Sequence, residues 1–215
     1  MCSINTSFFY HKDKKREYWR CTSCELIFVP QSFHLTAEAE KSIYNLHTNN
    51  SNDVGYRQFL QRFINPLIDH LANQRISTKD PLSILDFGSG PGPTLSLMLQ
   101  ELGFECKNYD IYYANHPKLL KPRHYDVVTT TEVVEHLSNP YSVFQCMFSL
   151  LKPKATLAVM TKRSDTLERF KNWHYIQDPT HICFYNKATF KWIAKVFEAH
   201  VTFPESDVAI FHKLL

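Results

Sequence analysis

Three groups of residues have the types and spacing that chemistry needs. Asp86 is followed by Gly88, Gly90 and Gly92 at alternate positions. Glycines there let a ligand approach the backbone, since no Cβ intervenes and positive φ costs little. Cys21 and Cys24 form a C-x-x-C knuckle, and two thiolates so placed chelate zinc well. His174, Asp178 and His181 fall within one short stretch rich in aromatics: Trp173, Tyr175, Phe184 and Tyr185. An imidazole there is a candidate general base or substrate contact near neutral pH. The same His, Asp and His are also candidate ligands for a catalytic metal.

The elements that must position these groups follow from the periodicities. An apolar run, Leu82 to Phe87, leads into the glycines, and Leu95, Met98, Leu99 and Leu102 follow at helical spacing. That is strand, turn and helix, with the helix's unpaired N–H groups behind the turn. Phe104 to Asp110 reads as a second strand, ending on an acidic residue 18 positions after Gly92. A carboxylate at that strand end is placed to accept from ribose hydroxyls, because the strand ends of a doubly wound sheet flank the nucleotide. Ile111 beside it is placed on the adenine face. Residues 112–124 carry two prolines and no convincing strand, so the next strand of such a sheet is shortened or absent. Tyr125 to Thr131 is a β-branched strand running into Glu132-Val-Val-Glu135-His136, and Thr156 to Thr161 is another. Between them lies a helix with Val143, Met147, Leu150 and Leu151, ended by Lys152-Pro153. Asn186 is a candidate N-cap for a helix carrying Phe190, Ile193, Ala194 and Phe197. Two last runs, Glu198 to Phe203 and Asp207 to His212, read as an antiparallel hairpin. Upstream, Phe59, Phe63, Leu67 and Leu71 make one apolar helical stripe, which is core.

Composition sets bounds. At 215 residues, with 44% hydrophobic and 21% charged residues, the chain suits one globular α/β domain with additions. A net charge of +3 does not by itself argue for nucleic acid. No long apolar segment predicts a membrane span, and the first residues show no secretory h-region. Six cysteines over this length, one pair as C-x-x-C, read as reduced thiols in a cytoplasmic protein.

A dinucleotide fingerprint needs its third glycine where Pro93 stands. Asp86-Phe-Gly-Ser-Gly-Pro-Gly92, the acidic strand end at Asp110, Tyr125-Asp-Val-Val, Glu132-Val-Val-Glu135-His136-Leu137, Pro140 and Leu151-Lys-Pro153 resemble, in this order and spacing, the class I S-adenosylmethionine-dependent methyltransferases. The likeness covers about residues 55–161 and is nearest the small-molecule branch with the ubiquinone and menaquinone O-methyltransferases. The front piece and Tyr44-x-x-His47 also look like a bacterial subgroup with a zinc-ribbon-like N-terminus. The resemblance implies a doubly wound Rossmann-like α/β sheet with a C-terminal antiparallel hairpin. It implies S-adenosylmethionine held by Asp86, Gly88, Ser89, Gly90, Gly92, Asp110, Ile111, Thr131 and Glu132, with Tyr44 and His47 beside it.

The expected organisation is a degenerate zinc-ribbon-like piece over 1–33, a helical lid or linker over 34–81 and the core over 82–215. Zinc, where bound, is expected on Cys21 and Cys24 with Cys2 and His11. His181, His174 and His136 are the candidate catalytic residues. The reaction expected is methyl transfer to a small molecule, on oxygen rather than nitrogen or carbon. Lys12, Lys14, Lys15 and Arg16 favour a rival, a tRNA methyltransferase, against which stand the low net charge and the lack of a motif for flipped-base amines. A third reading is a non-catalytic scaffold.

Overall fold

The structure is a computed structural model and describes residues 7–46, 50–74, 81–164 and 166–215. Strands β1 (Ser7–Lys12), β2 (Glu17–Cys21) and β3 (Ile27–Phe28) form an antiparallel meander. Helix α1 (Ala37–Tyr44) starts where the Thr36 hydroxyl accepts from Ala39 N, and α2 (Val54–Asn73) where the Asp53 carboxylate accepts from Tyr56 N. Then come β4 (Ser83–Phe87), α3 (Thr94–Glu101), β5 (Glu105–Tyr109), β6 (Tyr125–Thr131), α4 (Pro140–Leu150) and β7 (Leu151–Met160). The chain finishes with α5 (Leu167–Lys171), β8 (Cys183–Phe184), α6 (Lys187–Val196), β9 (Ala199–Thr202) and β10 (Val208–Lys213).

The main sheet has the order β5-β4-β6-β7-β10-β9. Its first four strands are parallel, and β10 pairs antiparallel with β7 and β9, closing the sheet as the expected hairpin. Because successive side chains alternate across a strand, the apolar runs feed both faces. Ile84, Val127 and Ala158 pack under α2 and α3, against Phe63, Leu67 and Leu99. Leu85, Val128 and Leu157 face the α4 and α6 side, with Phe144, Met147 and Phe190. Residues 112–124 contribute no strand: an Asp110–Ala114 bridge and a short 3-10 turn at Pro117–Leu119 stand in its place. Asn186 caps α6 as expected, accepting from Thr189 N. Lys152 and Pro153 lie inside β7, which follows α4 with no loop.

The front piece is not a separate unit. β8 joins its sheet, with Ile27 opposite Phe184 and Phe28 opposite Cys183. The reason is apolar demand. Tyr18 is fully buried and its ring meets Phe170 at 5.1 Å and Phe184 at 5.8 Å, so its partners come from the other end of the chain. Cys21, Cys24 and Leu26 pack into the main core with Phe144 and Tyr185. A boundary at 33/34 therefore does not separate two cores.

One polar link reinforces this. Arg16 is buried at 6% exposure, and its guanidinium donates to the carbonyls of Ile176 (2.7 Å), Asp178 (2.6 Å) and Pro179 (3.0 Å). Its Nε donates to the Tyr18 hydroxyl, which in turn donates to Asp13 at 2.7 Å.

Since Phe184 serves both the β8 pairing and the aromatic cluster, Phe184→Ala should cost about 3–5 kcal/mol. It should do so in one cooperative transition shared by the front sheet and the main sheet. Denaturant unfolding followed by fluorescence of Trp19, with Trp173 and Trp192 replaced by Phe, and by far-ultraviolet circular dichroism checks this. Two separated transitions in the wild type would show that the front piece folds alone.

Candidate functional site

The site forms where β4, β5 and β6 end. β4 breaks into the turn at Gly88 (φ +83°) and Gly90 (φ +65°), both in the left-handed region that glycine tolerates. Gly88 has a second reason to lack a side chain, because a Cβ would stand 2.5 Å from Val133 Cγ2. The turn thus lies directly against the segment that follows β6. Gly88 N and Ser89 N donate to Tyr109 O, tying the turn to the end of β5. Asp110 is buried and accepts from Gly90 N at 2.9 Å through one oxygen, and from Tyr112 N and Tyr113 N through the other. A carboxylate has about four acceptor positions. Asp110 therefore spends most of its capacity holding the turn, which differs from the expectation that it serves both ribose hydroxyls. Ile111 is exposed on the rim. Asp86 is buried in β4 and accepts from the Thr129 hydroxyl at 3.0 Å.

β6 ends in Thr131, and the next residue, Glu132, is held at φ +52°, a strained conformation for a residue with a side chain. Its N–H donates to Met160 O at the end of β7. The turn at Val134–His136 follows, and Glu135 is fully buried. The Tyr175 hydroxyl donates to Glu135 Oε1 in a very short contact and lies 3.4 Å from Glu132 Oε2. His136 and His181 face each other, ring centroids 4.8 Å apart, and Tyr175 packs on His181 at 4.0 Å. His181 Nδ1 bonds to Tyr175 O at 2.8 Å and His136 Nδ1 to Thr180 O at 3.1 Å. A carbonyl can only accept, so both rings carry the Nδ1 proton. The Asp178 turn fixes the height of this group: its carboxylate accepts from Thr180 N and Oγ1 and lies 3.8 Å from His181 Nε2.

The sequence pairing of His174 with His181 does not survive folding. His174 begins the 3-10 turn at His174–Gln177 on the exposed side, 3.2 Å from Lys162 Nζ, while Tyr175 and Ile176 take the inner positions. Tyr44 does come to the site: its ring stands 5.2 Å from His136 and 6.1 Å from Tyr112. Glu40 accepts from the hydroxyls of both Tyr44 and Tyr112, so α1 is clamped over the Asp110 loop. Glu40, Tyr112, Glu135 and Tyr175 carry no role in the sequence reading. Glu40 and Tyr112 had no local signal, Glu135 entered only within the Glu-Val-Val-Glu-His motif, and Tyr175 was read only as one aromatic among several. His47 and Cys2 lie outside the described residues.

Of the expected zinc ligands, Cys21, Cys24 and His11 lie among the described residues. Cys21 and Cys24 are buried core residues, and His11 stacks on Tyr18 with its edge to Phe170. The metal-type donors that come together among the described residues are instead Glu135, His136 and His181.

Burial makes the site electrostatically tense. It pushes the Asp86 carboxyl up to about 7, with the nearby Asp110 charge adding and the Thr129 hydrogen bond opposing. Burial, then repulsion from Glu135, raises Glu132 to about 8, and Glu135 itself is raised by burial against the pull of His181. Burial lowers His181. A carboxyl with a folded pKa above its unfolded value binds more protons folded than unfolded between the two. Stability therefore falls as pH rises from about 4 toward 7, and above that the penalty is complete. For Asp86 the shift corresponds to a few kcal/mol, at about 1.4 kcal/mol per unit. The charge that faces it is Asp110, with Tyr56 and Cys106 alongside. Asp86→Asn should leave the ligand-free protein at least as stable as wild type at pH 8 and flatten the loss of Tm between pH 5 and 8. An unchanged slope would remove Asp86 as its source.

Comparison with known proteins agrees with this architecture. Residues 56–201 match a family described as a methyltransferase domain. A ubiquinone biosynthesis O-methyltransferase of Yersinia pestis (strain Pestoides F) is 33% identical over 89 residues, which is 41% of this chain and 35% of that protein. The same figures hold for the enzyme of Yersinia pseudotuberculosis (strain YPIII), so the match spans about a third of the length of these curated relatives. Among solved structures, a Galdieria sulphuraria protein assigned as a sarcosine dimethylglycine methyltransferase superposes with TM-score 0.56, at 15% identity, over 77% of this chain and 74% of its own. The PH0226 protein of Pyrococcus horikoshii OT3 gives TM-score 0.53 at 15% identity, over 81% and 99%. With a family match running from α2 through the glycine turn, β6 and β7 into β9, this chain belongs to the methyltransferase-domain family.

Proposed function

We propose that the chain transfers a methyl group to an oxygen atom of a small molecule in the cytoplasm. The observation that carries this is the packing of Val133 on Gly88. It sets the Glu132–His136 segment, with His181 and Tyr175 above it, against the cofactor turn. A glutamate and histidine group so close to the turn suits an acceptor whose oxygen must be oriented and relieved of a proton. The name of the Yersinia relative, an O-methyltransferase, points the same way.

The residues fit the cofactor. Gly88 and Gly90 open the backbone at the turn, and Ser89 Oγ, Thr94 Oγ1 and Glu132 Oε1 are buried polar atoms with no hydrogen-bond partner in the protein. Such atoms are costly unless a ligand satisfies them. The carboxylates repel in pairs, Asp86 with Asp110 and Glu132 with Glu135, and a cationic ligand offsets that. When bound, S-adenosylmethionine supplies an already activated sulfonium methyl, so the protein's work is alignment and exclusion of water. In this reading Asp110 gives its remaining acceptor position to the ribose, Thr131 and Glu132 face the methionine end, and Tyr44 on α1 covers the cleft. His136 and His181 hold the acceptor oxygen in line with the methyl.

The rival nucleic-acid reading rested on Lys12, Lys14, Lys15 and Arg16. Arg16 is committed to internal carbonyls and Lys12 pairs with Glu17 at 3.2 Å. Lys14 and Lys15 alone make a poor phosphate surface.

Binding and turnover measurements test the proposal. Titration calorimetry should show S-adenosylmethionine or its demethylated product binding in the micromolar range and no binding of nicotinamide dinucleotides. Asp110→Ala should weaken the cofactor by about 1.5–3 kcal/mol, the range for hydrogen bonds to a charged group; an unchanged affinity would take the cofactor away from this turn. His181→Ala should keep cofactor affinity within about threefold, or ~0.65 kcal/mol. With an acceptor found in a panel of small hydroxyl compounds and labelled cofactor, the same variant should lose about 10²–10⁴ in turnover. Transfer only to amines or to tRNA would overturn the oxygen assignment.

A further inference from the structure

The turn between β1 and β2 and the loop that carries Tyr175 and His181 flank a hollow of about 360 Å³, within the rough range of small-molecule sites. It is not the cleft at the glycine turn. Tyr175 sends its hydroxyl to Glu135, whereas its chain neighbour Ile176 lines the hollow together with Pro179 and Phe33. The opposite wall is the turn itself, Asp13 to Arg16. The charges of that wall are not balanced. Asp13 is its one carboxylate, and its oxygens already accept from Lys15 N at 2.7 Å, Arg16 N at 2.8 Å and the Tyr18 hydroxyl at 2.7 Å. Lys14, Lys15 and Arg16 stand beside it, a formal surplus of two positive charges. Arg16 spends its donors on the loop carbonyls and the Tyr18 hydroxyl. Lys14 and Lys15 are exposed, and among the described residues neither ammonium has an ion-pair partner. Glu17, the acid of the same hairpin, is taken by Lys12 at 3.2 Å.

We propose that this hollow binds a small organic dianion, a phosphate monoester or a dicarboxylate carried on one flat apolar ring. Two ammonium groups without ion pairs match two negative charges, and lysine binds such oxygens as a point charge. Contact with Phe33, Ile176 and Pro179 selects for an apolar body over a bare inorganic anion, since removing apolar surface from water is favourable. Two lysines neutralise too few phosphates to hold a nucleic-acid strand, but they suffice for one small molecule. The bound dianion touches both the front hairpin and the loop, so it fastens the junction that Arg16 already makes. A ligand that binds only the folded chain also stabilises it by mass action. The position is that of an effector, set against the loop that carries Tyr175 and His181.

Titration calorimetry on the full chain tests this with phenyl phosphate, phthalate, benzyl alcohol and inorganic phosphate as probes. Phenyl phosphate or phthalate should bind once per chain in the submillimolar range. It should bind at least about tenfold tighter than benzyl alcohol or inorganic phosphate, the scale of one hydrogen bond to a charged group. The tighter of the two dianions tells a phosphate ester from a dicarboxylate. Lys14→Gln/Lys15→Gln should weaken that probe by about tenfold or more. Lys191→Gln/Lys195→Gln removes the same charge from exposed positions of α6 and should leave the affinity unchanged. Saturation with the demethylated cofactor product should not displace the probe, which separates the hollow from the glycine turn. Equal loss in both lysine pairs, displacement by the cofactor product, inorganic phosphate binding as tightly as the dianions, or no binding of either dianion would overturn the site. Cofactor binding is read in the same titrations, and its absence would sink the methyltransferase reading while leaving this site standing.

Discussion

A guanidinium taken out of water must find acceptors for its fixed fork of donors, and the fold is arranged around Arg16 doing so. Three carbonyls, those of Ile176, Asp178 and Pro179, converge on it, and in doing so they set the path of the loop. From there the dependence runs step by step. The Asp178 carboxylate positions Thr180, the Thr180 carbonyl orients His136, and the Tyr175 carbonyl orients His181. The front sheet, which looks like an appendage in sequence, is therefore the anchor of the roof over the site. Losing the charge while leaving the carbonyls buried would be worse than losing a surface pair, because every acceptor is left without its donor.

The opposite sign of charge dominates below the roof. Three carboxylates are buried where β4 and β6 end, and Glu132 is held at positive φ besides. Strain of that kind costs on the order of 1–3 kcal/mol and persists only where the surroundings enforce it. Here the Glu132 N–H bonds to β7 and Val133 is wedged on Gly88. The parallel sheet thus delivers stability through its apolar faces and spends part of it at its carboxyl edge, where a cationic ligand restores the balance.

The doubly wound sheet, the missing strand before β6 and the closing hairpin were legible because strand and helix periodicities are local. So was the glycine turn, since positive φ marks the residue that tolerates it. Asp110 was found at the right place with a different duty, because the three N–H groups it accepts from belong to a loop whose path the sequence does not show. The choice between His174 and His181 turned on which side of one 3-10 turn faces inward. Glu135 and Tyr175, 40 residues apart, meet only through the tertiary fold. Contacts of that range leave no trace in spacing.

The stitching by β8 has a consequence for how the chain is made. The front sheet is synthesised first, yet its β3 edge and the Tyr18 ring have no partner until Phe170 and the Cys183–Phe184 strand emerge. Arg16 waits just as long for carbonyls about 160 residues downstream. Until then an unpaired strand edge and an aromatic surface are exposed together, the combination that favours association between incomplete chains. Closing so long a loop is also slow relative to local helix formation. The roof and the site beneath it are therefore completed late, after the parallel sheet that carries the cofactor turn.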